Sequence, residues 1–241
     1  MRIPSTIHTC KFLPLFMVLF FLSPNFSNSV NINHTNIKTN SFFLNEKAVS
    51  VFQQLNIADL DFGAFKAAYN GYSILEKEGK LKNKILSVID FSKSSNTQRM
   101  YVIDMELLEL KYQTLVSHGK DSGEEYAKIF SNVLNSNKSS IGFYLTGETY
   151  SGKHGYSLRL DGIEESNSAA RDRAIVMHSA NYATSDFIKK NGRLGRSQGC
   201  PALPPLISKQ VIDLIKEGSC LFIYYPCLKY LSTSDLLKNQ N

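Results

Sequence analysis

The 241-residue chain lacks the glycine patterns that cradle nucleotides, having neither a P-loop nor a Rossmann fingerprint. It has no arginine-rich run and no finger spacing, so nothing in it resembles a nucleic-acid binder. Paired ligand spacings such as His-x-x-x-His and Cys-x-x-Cys are also absent, which weakens any zinc site. There is no internal repeat and no interdomain linker after residue 46. The apolar run from Phe12 to Leu22, ending at Ser23-Pro24, is too short to span a bilayer comfortably. What remains is ordinary globular composition, 43% hydrophobic and 20% charged, enough for one domain or one domain with a small appendage.

Arg2 and Lys11 precede that apolar run, and the small residues Ser27 and Ser29 follow it. This is the pattern of an export signal cleaved after Ser29, with an uncleaved anchor as the alternative. Cys10 lies before the run rather than after it, which disfavours lipid anchoring. Loss of residues 1–29 removes two positive charges and no negative one, lowering the formal charge from +6 to +4. A mildly basic chain suits an anionic polymer such as a cell wall or a membrane surface; equally, the charge only keeps it soluble. The expected organisation is a signal peptide over 1–29, a disordered lead-in rich in Asn, Thr and Ser over 30–45, a folded domain with N-terminal helices over 46–230, and a polar tail over 231–241. No stable membrane span is expected once the signal is removed, and the destination is the periplasm or cell envelope.

Three cysteines then remain, Cys200, Cys220 and Cys227, and an odd number in an oxidising compartment leaves one thiol unpaired or paired with another molecule. Cys220 and Cys227 bracket an apolar strand. Its ends stand too far apart for a disulfide without a bend at Pro226, so pairing and burial as free thiols both stay open.

From 46 to 80 the apolar residues Phe65, Ala68, Tyr69, Tyr72 and Leu75 recur at helical spacing, and Gly79 closes the run. The period then changes. Segments 85–91, 99–104, 109–116, 141–146 and 173–178 read as strands, while 121–136 is ambiguous between helix and loop. Leu206, Val211, Ile212, Leu214 and Ile215 predict a helix ending before Gly218, and Cys220 to Tyr225 predicts a last strand. The fold class is therefore mainly β, with residues 228–241 trailing away.

The segment Gly195-Arg196-Ser197-Gln198-Gly199-Cys200-Pro201 presents a cysteine in a turn. Backbone N–H groups directed at such a cysteine stabilise a thiolate and bind the oxyanion of an acyl-transfer intermediate. Pro201 has no N–H, so the expected donors are Cys200, Gly199 and Gln198. A buried structural cysteine is the bland alternative. Among the histidines, His34 lies in the polar lead-in. His178 ends the apolar strand Ala174-Ile175-Val176-Met177 and so is aimed at the mouth of the sheet, as a base or as a hydrogen-bonded structural histidine. His118 and His154 sit in glycine-containing turns as loop residues or substrate contacts.

These residues resemble the murein L,D-transpeptidase catalytic domain family, marked by a histidine followed at a distance by Ser-x-Gly-Cys, here His178-Ser179 and Ser197-Gln198-Gly199-Cys200. The stretches 143–150, 152–155 and 157–162 look like one subgroup of it, and the resemblance covers roughly residues 60–227. It implies a mixed β-sheet sandwich with N-terminal helices and one helix after the nucleophile. It further implies a Cys200 nucleophile, a His178 base, a Ser179 carbonyl orienting the imidazole and a Ser197 that supports the turn. Gly199 admits close backbone approach. Tyr182, Arg196, Gln198 and His154 are the expected substrate-binding residues.

The resemblance implies peptidoglycan stem peptides as the substrate and no cofactor. The cysteine attacks a diaminopimelate carbonyl in a tetrapeptide stem, D-alanine leaves, and a second stem's amine accepts the acyl group. A hydrolase of the same fold and a non-catalytic wall-binding module are the alternatives. Three departures bear on acceptor preference: Gln198 stands where a histidine or arginine is usual, Pro201 follows the cysteine, and the loop from Thr184 to Leu194 is longer. That loop carries Lys189, Lys190 and Arg193, either meeting substrate carboxylates or simply solvated.

Overall fold

The computed structural model describes residues 46–237; the expected signal peptide, the lead-in and residues 238–241 lie outside the described residues. Two helices come first, α1 over 46–55 and α2 over Phe62–Lys77. Asp61 caps α2, its carboxylate accepting from the Ala64 amide at 2.9 Å. The buried side of α2, with Phe65, Ala68, Tyr72 and Leu75, packs on the sheet. Within it Gly71 admits the Phe143 ring, which a Cβ would meet at 2.1 Å. No helix among the described residues is long and apolar enough to cross a membrane.

The sheet has eight strands: β1 Ile85–Asp90, β2 Met100–Asp104, β3 Glu109–Thr114, β4 Gly142–Gly152, β5 Gly155–Gly162, β6 Val176–Ser179, β7 Ala202–Leu203 and β8 Cys220–Tyr224. Their order is β3-β2-β1-β8-β4-β5-β6-β7. The pairs β1–β8 and β6–β7 are parallel and the others antiparallel, so the sheet is mixed. β1 and β8 are neighbouring interior strands and every residue of both is buried, because elements cover both faces. Phe143 of β4 and Phe222 of β8 stack there at 4.1 Å. Three further helices follow late in the chain: α3 Ser185–Asn191, α4 Pro205–Ile215 and α5 Leu228–Thr233. α4 begins at proline as predicted and buries Val211, Ile212 and Ile215.

The sheet's two edges meet. Just past β3, the Ser117 amide donates to the Ala202 carbonyl of β7 at 2.9 Å, and Gly119 bridges Ser197. One sheet thereby curls into the two facing layers of the expected sandwich.

The structure departs from the sequence expectations in three places and resolves two readings that the sequence leaves open. β5 and β7 were not foreseen as strands. The loop from Thr184 carries α3, capped by the Thr184 hydroxyl accepting from the Phe187 amide at 3.2 Å and ended by Gly192 at φ 77°. Segment 121–136 is irregular after a 3-10 turn over Lys120–Ser122. Residues 228–237 do not trail away: Tyr230 of α5 is buried and donates to Glu164 at 2.7 Å, and Leu237 is buried. Cys220 and Cys227 are buried free thiols.

The strip after β3 is held by a fully buried arginine. Arg99 donates twice to the Val116 carbonyl, at 2.9 and 3.2 Å, and once to His118 Nδ1 at 2.8 Å. An arginine can only donate, so His118 accepts at Nδ1 and carries its proton at Nε2, which faces the Gly123 carbonyl at 3.2 Å. Burial, reinforced by the Arg99 charge, pushes the His118 pKa from 6.5 down to about 3. Burial also lowers Arg99 to about 9, leaving it charged at neutral pH.

A folded-state pKa below the unfolded one means that the unfolded chain takes up the proton first, so His118 weakens the fold as pH falls from 6.5 towards 3. Urea midpoints should drop across that window, and His118→Gln, which keeps one acceptor and one donor, should flatten the drop; equal slopes would contradict this. Gly71→Ala should cost about 1–3 kcal/mol by overpacking against Phe143, read as a lower midpoint.

Candidate active site

β6 positions the histidine. Its residues alternate across the sheet, pairing with Ser157 of β5 on one side and Ala202 of β7 on the other, both in register with His178. His178 is 2% exposed, and its Nδ1 lies 2.9 Å from the Ser179 carbonyl. A carbonyl only accepts, so Nδ1 carries the proton and Nε2 keeps a lone pair. Burial lowers the His178 pKa and the Ser179 carbonyl opposes that; the neighbouring His154 and Lys153 lower it further. The imidazole is therefore neutral at neutral pH.

The cysteine turn is built by Ser197. Its hydroxyl accepts from the Gly199 amide at 3.0 Å and donates to the Cys200 carbonyl at 2.6 Å. The Ser197 backbone is tied to the strip after β3, donating to the His118 carbonyl at 2.9 Å and accepting from Lys120 at 2.8 Å. Gly199 sits at φ 124°, and a Cβ there would come within 2.8 Å of the Lys138 carbonyl. Only glycine fits. One expectation is corrected: the Gly199 N–H is taken by Ser197 and is not an oxyanion donor. Among the described residues, the Gln198 and Cys200 amides have no such carbonyl or hydroxyl acceptor.

The Cys200 sulfur meets β6. The Val176 amide donates to Sγ at 3.5 Å, and Sγ lies 3.7 Å from the Ala174 carbonyl. Extending the β6–β7 register by two residues sets Cys200 opposite Val176, one alternation away from His178. Burial raises the thiol pKa above its ordinary 9.0, with Val176 N–H, Arg173 and Lys153 pulling the other way. At rest Cys200 is a thiol and His178 a neutral imidazole.

Two of these neighbours escaped the sequence reading. Val176 was visible only as a strand residue, and its amide matters solely through the register with Cys200. Arg173 precedes β6, and its half-buried guanidinium is held by the Ser131 and Lys138 carbonyls and the Ser136 and Ser140 hydroxyls.

The expected substrate-binding residues divide. His154, at the tip of the β4–β5 hairpin, stacks on His178 with ring centres 4.4 Å apart. Tyr182 is packed under Gly195, where an added Cβ would come within 2.4 Å of the Tyr182 Cβ and 2.7 Å of its ring; burial, and then the Cys200 charge, push its phenol up to about 12. Lys153, His154, His178, Ser179, Ala180, Asn181 and Tyr182 line one cleft. Gln198 is exposed on the cysteine turn. Arg196 does not join them: its guanidinium is committed to Glu124 at 2.6 Å and to the Lys120 and Gly123 carbonyls. Arg193 pairs with the same Glu124 at 2.8 Å, whereas Lys189 reaches only Asp186 on its own helix. His118 is a buried brace, not a substrate contact. Among the described residues, no three His, Cys, Asp or Glu side chains are arranged to hold a metal ion.

Residues 56–224 match the family model of the L,D-transpeptidase catalytic domain. No curated protein matches the chain. Among solved structures, an L,D-transpeptidase from Mycobacterium smegmatis is similar at 14% identity and a TM-score of 0.38, over 59% of this chain and 59% of that one. L,D-transpeptidase 1 from Mycobacterium tuberculosis is 16% identical over 58% and 62% of the two chains, with a TM-score of 0.34. One from Stackebrandtia nassauensis is 12% identical over 74% and 76%, with a TM-score of 0.37. The chain thus spans about three fifths of the first two relatives. Because the family model takes in most of the chain, from the loop before α2 to the end of β8, the protein belongs to the L,D-transpeptidase catalytic domain family.

Proposed function

We propose that this protein is an exported peptidoglycan L,D-transpeptidase that forms an acyl-thioenzyme on Cys200. The observation that carries the reading is the pinning of His178 Nδ1 on the Ser179 carbonyl, which leaves Nε2 as a base on the strand whose Val176 amide touches the Cys200 sulfur. His178 takes the Sγ proton as the sulfur attacks the donor carbonyl, and the oxygen gains the charge. The Cys200 and Gln198 amides are the remaining donors for that oxyanion. Collapse breaks the peptide bond, and the imidazolium returns its proton to the departing D-alanine amine. A second stem's amine then attacks the thioester, His178 takes its proton, and the thiol is restored. Export rests on residues 1–29, which lie outside the described residues.

Full-length mature protein incubated with a diaminopimelate tetrapeptide should release D-alanine and gain the acyl mass on Cys200. Dimers among the products mean transfer, and trimmed monomers mean hydrolysis. Identical products from wild type and Cys200→Ala would sink the reading.

A raised thiol pKa sets the pH dependence of alkylation. The iodoacetamide rate on Cys200 should still be climbing at pH 9.0, because the thiolate forms only above the ordinary thiol value. A plateau between about pH 4 and 7 would mark a preformed thiolate–imidazolium pair and contradict the neutral resting state. Donor acylation should persist below pH 6.5, because the His178 pKa is depressed and the imidazole stays unprotonated there.

A further inference from the structure

The hairpin over the cleft carries a charge that the acyl-transfer steps leave unused. Gly152-Lys153-His154-Gly155 joins β4 to β5, with Gly152 paired to Gly155. Neither turn residue takes a positive φ, and Gly155 follows at φ 73°, so the sequence specifies a type I turn closed by a left-handed glycine. That turn lays the His154 ring on His178 at 4.4 Å and leaves Lys153 on the wall of a cleft of about 410 Å³. The lining holds one ammonium, two imidazoles, a phenol and no carboxylate.

Lys153 differs from the other cations nearby. Arg173 is saturated by carbonyls and hydroxyls, and Arg193 and Arg196 are both tied to the Glu124 carboxylate. Lys153 is exposed and, among the described residues, has neither an ion pair nor a hydrogen-bond partner. Its charge nevertheless reaches both reacting groups, lowering the pKa of His178 and of Cys200. An unpaired ammonium in a cleft without acids is a site for an anion.

We propose that Lys153 forms a carboxylate-binding subsite that selects the donor peptide by a free carboxylate close to the carbonyl under attack. The proposal rests on the transpeptidase reading for its substrate. A diaminopimelate tetrapeptide offers two such groups, the carboxylate of the departing terminal residue and the one at the end of the diaminopimelate side chain. Either would meet the ammonium as a charge-assisted hydrogen bond at the rim, where a flexible lysine serves as a point charge.

The test uses the folded full-length mature chain and two alkylating agents of nearly equal size, anionic iodoacetate and neutral iodoacetamide. Each forms the same kind of S–C bond at Cys200 with loss of iodide, and peptide mass spectrometry separates Cys200 from the buried Cys220 and Cys227. Lys153→Met should lower the iodoacetate-to-iodoacetamide rate ratio about two- to fivefold, the size of one exposed charge pair, with the iodoacetamide rate changing less. Lys153→Arg should restore the ratio, and added salt should erase the difference between wild type and Lys153→Met.

Donor tetrapeptides amidated at one carboxylate or the other identify which is recognised: the matching amide raises KM in wild type but not in Lys153→Met. An unchanged alkylation ratio in Lys153→Met would overturn the subsite whatever the donors do. If no donor acylated Cys200 while the ratio still fell, the transpeptidase reading would fail and the anion subsite would stand.

Discussion

The hydrogen bond from the Ser117 amide to the Ala202 carbonyl, 2.9 Å long, ties one edge of the sheet to the other, and the cysteine turn hangs from that tie. β7 has only two residues and cannot hold a register by itself. It is clamped between β6 and the strip after β3, which also satisfies an edge that would otherwise offer unpaired backbone groups. The strip is fixed in turn by Arg99, whose guanidinium is buried among the carbonyls it satisfies. A chain of backbone constraints therefore runs from a buried arginine through His118 and Ser197 to Cys200, with no exposed side chain as a necessary link.

This dependence fixes the backbone of the cysteine turn through its own contacts. Gly199 is wedged against the Lys138 carbonyl, its own carbonyl accepts from Ser139, and its amide is spent on Ser197. The groups left over are those the proposed reaction needs: a histidine lone pair, the Val176 amide at the sulfur and the amides of Gln198 and Cys200. Burial keeps both thiol and imidazole neutral at rest, so in the proposed reaction charge separation arises only as the step proceeds. Donors that are already oriented then cost no reorganisation.

Much of this was legible in the sequence because the signals were local. An apolar run that ends in histidine fixed His178 at the end of a strand, and glycine beside cysteine marked a turn. α4 announced itself through its stripe and its bounding Pro205 and Gly218. What stayed hidden depends on long-range pairing. β7 is a strand only because β6 and the strip after β3 flank it. β5 alternates Ser157, Arg159 and Asp161 with apolar residues and reads as a strand only once β4 and β6 lie beside it. α3 carried a cap at Thr184 and a stop at Gly192, yet its lack of any buried residue left no apolar stripe to read. His118 looked like a loop residue because nothing near it in sequence reveals Arg99, 19 positions earlier.

Gln198 stands where the family resemblance leads one to expect a histidine or arginine, so the cysteine turn itself carries no positive charge at that position. Instead the charge comes from elements on either side of β6. Arg173, on the segment entering the strand, is held by four oxygens and braces the floor of the cysteine turn; Lys153, on the β4–β5 hairpin, is without a partner among the described residues and lowers the pKa of both Cys200 and His178. A cation already saturated by neutral oxygens keeps its charge but has little freedom to follow a ligand. A cation with no partner does the opposite, contributing little at rest and most when an anion enters. In the proposed reading, dividing the charge this way separates the task of holding the thiol from the task of choosing what it attacks, and it lets the turn carry an exposed, neutral Gln198 without leaving the cleft uncharged.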